Sequence, residues 1–561
     1  MQYDFEFRSR RSNVFATNGM VASSQPLASL AGLDMLRKGG TAADAAVAVA
    51  AALNVVEPFS TGVGGDLFAL FWEADQKKLF ALNGSGPAAQ KASIDQILKA
   101  GYEKYPLFTG HAVSVPGTVA GWSALLARFG RMELSDVLSP AIRYANEGFP
   151  VTEWIGTGWK LMESRLLRDQ VDQDLPKYQQ RIGPSQPSGH EFLMNGKAPG
   201  IGDLVSLPTL GETLQGIASD GKDYIYEGWF AERLCQYVQL YGGWLEPSDL
   251  SGFEAEWVEP IHADFHGYRL FECPPNGQGL AAILAAKIAD GFKLSEMDWV
   301  DRTHTLIECM RLGFTDALQW VTDPNFVEIP YQELFSEGYI ENRRHLIRPD
   351  QALQELKSGI QAIGDDTVYL SVVDGMGNAC SLINSLYMGG GTGLVLPDTG
   401  VFLQNRASLF SLDPEHPNAL EGGKRPYHTI IPGMLTRDGE LFASFGIMGG
   451  FMQPQAHLQV IANMIDLGHN PQQALDMPRF CLNLNSGGGV GCEDPDGEVL
   501  LEKGFNFDEV AALRTRGHHV SPITGRQRAI FGGGQVIQRN PETGVMIAGS
   551  DPRKDGCAIG W

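Results

Sequence analysis

Cysteine is scarce in this chain, with seven among 561 residues. They stand at Cys235, Cys273, Cys309, Cys380, Cys481, Cys492 and Cys557, an odd set without regular spacing. Such a set argues against a disulfide framework. Long apolar runs are missing too. The most apolar stretch, ADAAVAVAAALNVV over 43–56, is Ala-rich and too short to span a bilayer. MQYDFEFRSRRSNVF at the start has arginines but no apolar segment behind them, so no secretory signal is expected and the expected setting is cytoplasmic. Basic residues are outnumbered, 43 Lys and Arg against 66 Asp and Glu, for a net charge of −23. An acidic surface repels phosphate backbones and anionic headgroups, so neither nucleic acid nor membrane is an expected partner. HExxH, paired CxxC, the G-x-S-x-G elbow and the Walker A loop are all absent, and no metal or organic cofactor is expected. Gly389-Gly390-Gly391 lacks the Lys-Ser/Thr that a phosphate cradle requires.

What is present is ordinary globular composition, 43% hydrophobic and 19% charged, with 67 glycines for turns and close approaches. Helices are expected over 27–37, ending at Gly39-Gly40, and from Thr41, whose spacing to Asp44 resembles a capping box, to about Asn54. STGVGGDLFALFW then reads either as a loop feeding a buried strand or as backbone approaching a ligand. HAVSVPGTVAGW reads as strand, Pro-Gly turn and helix start. Residues 138–148 read as helix, 160–200 as a polar excursion or lid, 209–240 as largely helical, and 246–252 as a short connection. IHADFHGYRLFECPPNGQG reads as strands before a helix at 280–288, and 301–320 as a long helix. Residues 351–364 are a helix fading into a linker. Paired strands dominate after Thr367, with a surface loop at 483–495. The pattern is mixed α+β rather than alternating βα units.

The sharpest local feature is TVYLSVVDGMGNACSLINS, a β-hairpin turning at 374–378. A register that faces Asp374 with Asn378 also faces Thr367 with Ser385. Directly opposed residues have Cβ atoms about 5 Å apart, so two hydroxyls would meet where the hairpin begins. On spacing alone, a solvent-facing Thr–Ser pair on an edge hairpin is the favoured reading.

Gly364 to Gly393 resembles the processing and nucleophile segment of the γ-glutamyltransferase family, within the N-terminal nucleophile (Ntn) hydrolases. GGTAADAAVAVAAAL, VPGTVAGW, LSPAIRYANEGF, PPNGQG, GKRPYHTIIPG, FGIMGG and GSDPRKDG follow in the family's order along nearly the whole chain. The resemblance implies a four-layer αββα sandwich. It implies self-cleavage between Asp366 and Thr367, giving a large chain of 1–366 and a small chain of 367–561 intertwined in one domain. Thr367 would then be the nucleophile that opens a small-molecule amide, without a cofactor. Ser385 would hydrogen-bond it, and the backbone of Gly449 and Gly450 would form the oxyanion hole. Processed heterodimers could assemble further into a homo-oligomer.

Departures from the family pattern bear on the substrate. The position of an arginine that clamps the glutamyl α-carboxylate aligns with Asn83, and no arginine lies between Trp72 and Arg128. An acidic residue for the α-amino group aligns with Leu409. Two serines align with His428 and Thr429, an asparagine with Tyr387, and a glutamine with Arg406. The set that reads a zwitterion looks dismantled, while one new cation stands near the nucleophile. The acyl group is therefore expected to carry a carboxylate without an α-amine, as in oxamate or a dicarboxylic monoamide. Arg406 could instead clamp the 413–421 loop, and His428 is expected to be structural or substrate-contacting rather than catalytic. Two other readings stand beside this one: a true γ-glutamyl hydrolase or transpeptidase acting on glutathione, and an uncleaved scaffold.

Overall fold

The computed structural model describes residues 11–167, 176–180, 187–353, 366–483 and 497–561. Two seven-stranded sheets, with every neighbouring pair antiparallel, form its centre. The first runs from edge to edge through Cys557–Gly560, Gly19–Ser23, Asp366–Asp374, Ala379–Tyr387, Asp66–Glu73, Lys78–Gly84 and Glu256–Val258. The second runs through Val14–Ala16, Met546–Ser550, Gly533–Arg539, Glu440–Met448, Gly433–Arg437, Tyr268–Glu272 and Ile261–Phe265.

Side-chain alternation along the strands sets the layers. On Asp66–Glu73, Leu67, Ala69 and Phe71 join one apolar cluster with the helices Pro26–Arg37 and Ala42–Val56. Phe68, Leu70 and Trp72 join a second cluster with Tyr369, Ile383, Met434 and Met448 between the sheets. On the second sheet, Ala443, Phe445 and Ile447 turn outward to the helices Gly279–Ala289, Trp299–Trp320 and Met452–Ile465. The result is helix, sheet, sheet, helix, as the resemblance implies. Both faces of both sheets are covered, which explains why so many strands read as continuous apolar runs.

The capping box of Thr41 and Asp44 is present, and its helix runs over Ala42–Val56. The expected helices at 27–37, 138–148, 280–288 and 301–320 all form, each with slightly different bounds. Two expectations need correction. HAVSVPG is not a strand: residues Gly110–Ala112 form a 3-10 turn, and Val115 gives its N–H to Pro87, in a segment whose prolines and glycines cannot sustain a ladder. Nor is 160–200 polar throughout. Its first part belongs to the helix Glu153–Leu167, whose Trp159 and Leu166 are buried with Phe192. Residues 168–175 and 181–186 lie outside the described chain, as do the linker at 354–365 and most of the expected loop, 484–496.

The hairpin register is the expected one from Val368↔Asn384 through Val373↔Ala379, with a bulge between Asp366 and Val368. Gly64 and Gly65 do approach a backbone closely, but it is the chain's own. A Cβ at Gly65 would fall 2.3 Å from the Ser385 carbonyl oxygen. STGVGG is thus a loop feeding a buried strand.

Candidate active site

Thr367 Oγ1 and Ser385 Oγ are 3.0 Å apart, both buried at the start of the hairpin. Ser385 is a hub. Tyr387, held at φ +80°, donates its N–H to Ser385 Oγ at 2.8 Å, and Arg406 Nη2 donates to the same oxygen at 3.1 Å. Two N–H donors thus meet that oxygen beside the Thr367 hydroxyl. Arg406 begins a 3-10 turn over Arg406–Leu409. Its Nη1 donates to Thr429 Oγ1 at 2.8 Å, and its guanidinium carbon lies 4.6 Å from the Tyr387 ring centroid. The guanidinium is fully buried, with Nε unpartnered. It does not clamp the 413–421 loop. Burial lowers its pKa to about 10, so it remains charged at neutral pH.

The charge closest in effect is one the sequence reading did not single out, Asp66. Its Oδ1 accepts the N–H groups of Gly86 and Gly117, both at 3.2 Å, and the Gln404 amide at 3.0 Å. Its Oδ2 lies 3.0 Å from His428 Nε2. Ile430 N–H points at His428 Nδ1, so the ring proton sits on Nε2 and is donated to Asp66. Burial, reinforced by Arg406, holds His428 well below its ordinary pKa. His428 is therefore neutral, and both its nitrogens are taken by the protein. Burial also raises Asp66 to about 7, against the lowering effects of Arg406 and its hydrogen bonds. A signal was available in GVGGD, where an acid follows a glycine pair into an apolar strand.

Gln278, from PPNGQG, ties this group to the glycine pair. Its side-chain amide donates to the carbonyl oxygens of Thr429 and Gly450. Asn83 sits one step farther out, donating to Asn276 at 3.0 Å, while Asn276 accepts the His428 N–H. Leu409 is buried among apolar side chains with Tyr387 and Tyr427.

Packing between the sheets places Gly449 and Gly450. The Tyr369 ring occupies the space over Gly446, where a Cβ would come within 2.3 Å of it, and Ser371 bonds Ser444 at 2.6 Å. Met448, at the end of that strand, shares the inter-sheet cluster with Tyr369 and is followed directly by Gly449-Gly450. These glycines take φ +135° and +53° and lead into the helix Met452–Ile465. A helix N-terminus favours negative charge. Hydrogen bonds thus join Thr367, Ser385, Tyr387, Arg406 and Thr429, and Gln278 links Thr429 to Gly450. Among the described residues, one group elsewhere has metal-like composition: His304, Glu308 and His518. Its atoms are already paired internally, His304 with His518 at 2.7 Å and Glu308 with Arg311 at 3.1 Å.

Four layers with a hydroxyl at the start of a central strand define an Ntn hydrolase. A family model described as Gamma-glutamyltranspeptidase matches residues 28–561. A glutathione hydrolase-like YwrD proenzyme of Bacillus subtilis is 34% identical over 98% of this chain and 99% of its own length. An oxamate amidohydrolase proenzyme of Klebsiella pneumoniae is 33% identical over 98% and 99%. The crystal structure of a cephalosporin acylase from Bacillus halodurans superposes with a TM-score of 0.89 at 42% identity, covering 100% of this chain and 98% of that one. The chain belongs to the γ-glutamyltranspeptidase family of Ntn enzymes.

Proposed function

We propose that the chain is a self-processing amide hydrolase that removes a short, carboxylate-bearing acyl group through Thr367. The observation that carries this reading is the position of Arg406, a buried cation two hydrogen-bond lengths, 3.0 and 3.1 Å, from the Thr367 hydroxyl by way of Ser385. Cleavage before Thr367 frees an α-amine with an ordinary pKa near 8. That amine takes the Thr367 proton as Oγ1 attacks the amide carbon. The N–H groups of Gly449 and Gly450 receive the oxyanion. Collapse passes the proton to the departing amine and leaves a threonyl ester, which water opens to regenerate Thr367.

Distance argues for a short acyl group. An attacked carbon sits about 3–3.5 Å from its nucleophile, and a carboxylate about 2.7–2.9 Å from a guanidinium nitrogen. Little span remains between them, which suits an oxamate-type amide better than a glutaryl or γ-glutamyl chain. Leu409 offers nothing to an α-ammonium group, which also disfavours glutathione. The relatives named as oxamate amidohydrolase and cephalosporin acylase are compatible with this reading.

Arg406→Gln keeps a donor for Ser385 or Thr429 while removing the charge. It is expected to raise KM for oxamate at least about tenfold and to leave a neutral short-chain amide nearly unchanged. Equal effects on both substrates would remove Arg406 from acyl recognition.

A further inference from the structure

A β-bulge interrupts the hairpin at the bond named above for self-cleavage. The ladder pairs Val368 with Asn384 and resumes at Asp366 with Tyr387. Two residues, Ser385 and Leu386, therefore stand against the single Thr367, and the Asp366–Thr367 peptide lies inside the bulge. A bulge disrupts the ladder locally and re-aims a side chain.

Tyr387 closes this bulge in an unusual conformation. Among the described residues, six other than glycine take a positive φ. Lys77, Asn195, His266, Asp398 and Asp438 occupy turns that are exposed or half-buried. Tyr387, at φ +80°, instead ends a strand and is 2% exposed. The left-handed region is costly for a bulky side chain and persists only where neighbours over-determine it. Several neighbours do so here. Leu386 donates its N–H to the Ser60 carbonyl at 3.3 Å and accepts that of Asn405 at 3.2 Å. Met388 donates its N–H to Asn405 Oδ1 at 3.2 Å. The Tyr387 ring lies against the Arg406 guanidinium. In this conformation the Tyr387 N–H reaches Ser385 Oγ at 2.8 Å, and that oxygen lies 3.0 Å from Thr367 Oγ1.

We propose that the left-handed backbone of Tyr387 positions the chain for its own cleavage. It sets the bulge that holds Ser385 against the Thr367 hydroxyl and keeps the Asp366–Thr367 peptide out of the regular ladder. In the step it serves, Thr367 Oγ1 bonds to the Asp366 carbonyl carbon, the C–N bond breaks, and the hydroxyl proton passes to the Thr367 nitrogen. Water then opens the resulting ester, which gives an Asp366 carboxylate and restores the Thr367 hydroxyl beside its free amine. Tyr387 is thus a positioning residue, and the inference rests on the self-processing reading above.

The test follows cleavage of the newly synthesised full-length chain by intact mass at timed intervals, in variants chosen for backbone preference. Glycine takes the left-handed region freely, asparagine readily, and valine resists it. Tyr387→Asn is expected to be cut at least about tenfold faster than Tyr387→Val. Packing alone predicts the reverse, since valine suits a buried apolar position better than asparagine does. Tyr387→Gly, which removes the whole ring, is also expected to outpace Tyr387→Val. Tyr387→Val as fast as Tyr387→Asn, or Tyr387→Gly slower than Tyr387→Val, overturns the proposal. Circular dichroism of the uncut chain shows whether Tyr387→Val is folded. If it is not, Tyr387→Leu takes its place; Tyr387→Asn is expected to be cut about threefold faster than Tyr387→Leu, and equal rates overturn the proposal. A wild-type chain that is never cut overturns the self-processing reading and this inference together. A wild-type chain cut before Thr367, beside variants whose rates ignore backbone preference, overturns this inference alone.

Discussion

Asp66 shows how one buried carboxylate can set the behaviour of a site. Burial lifts it from 3.8 to about 7. Between those values the folded chain keeps a proton that the unfolded chain has released. Its contribution to stability therefore falls as pH rises across that window and is level above it. On the function proposed above, neutral Asp66 would leave Arg406 to an incoming carboxylate, whereas ionised Asp66 would compete for it. KM for oxamate is accordingly expected to rise with pH through about 7, and Asp66→Asn, which keeps an acceptor for Gly86 and Gly117, is expected to flatten that rise. An unchanged KM profile in the variant would detach Asp66 from substrate binding. Residues of this kind were the hardest to read. The hairpin arithmetic brought Thr367 near Ser385 because the two-residue period holds from Val373↔Ala379 to Val368↔Asn384, and the two hydroxyls still meet beyond the bulge that follows. The bond between Asp66 and His428 spans 362 residues and leaves no spacing to detect.

At the scale of elements, the hairpin that carries Thr367 is fastened at its far end by Asp374. Its carboxylate accepts the Met376 and Asn378 N–H groups and the Asn378 side chain, which fixes the turn. It also accepts Ala42 N–H at 3.0 Å, the first N–H of the helix Ala42–Val56. One side chain thus closes a turn and caps a helix. Asp374→Ala is expected to lower unfolding stability by about 2–4 kcal/mol in urea titration, and Asp374→Asn by clearly less. A loss under about 0.5 kcal/mol, the range of an ordinary surface substitution, would mean that water replaces these bonds. Elements with strong local signals were legible: the capping box, the Asp374–Asn378 turn and the long apolar helices. HAVSVPG was misread because an extended β-rich segment without a partner strand resembles a strand. The helix over 153–167 was missed where Lys160, Glu163 and Arg165 mask the helical spacing of Trp159, Met162 and Leu166.

Across the whole molecule, residues on either side of Asp366–Thr367 are interleaved. In the first sheet, 19–23 lies between 557–560 and 366–374, and 379–387 pairs with 66–73. In the second, 14–16 pairs with 546–550 and 268–272 with 433–437. A cut before Thr367 would sever one peptide bond and none of these ladders. The two fragments are expected to co-elute as one species in native size-exclusion chromatography and to part only on denaturation. Separation under native conditions would show that the interleaving does not hold the processed protein together. Layer architecture at this scale was not visible in residue spacing; it came from the family resemblance, because sheet order depends on pairings such as Cys557–Gly560 with Gly19–Ser23.

The central claim is that Thr367 becomes an N-terminal nucleophile. Intact mass under denaturing conditions tests it most directly, on the wild-type chain beside Thr367→Ala. The account predicts two fragments from the wild type, the smaller beginning at Thr367, and a single uncut chain from the variant. A wild-type chain that stays at 61.0 kDa, or a variant that cleaves as readily, would contradict it.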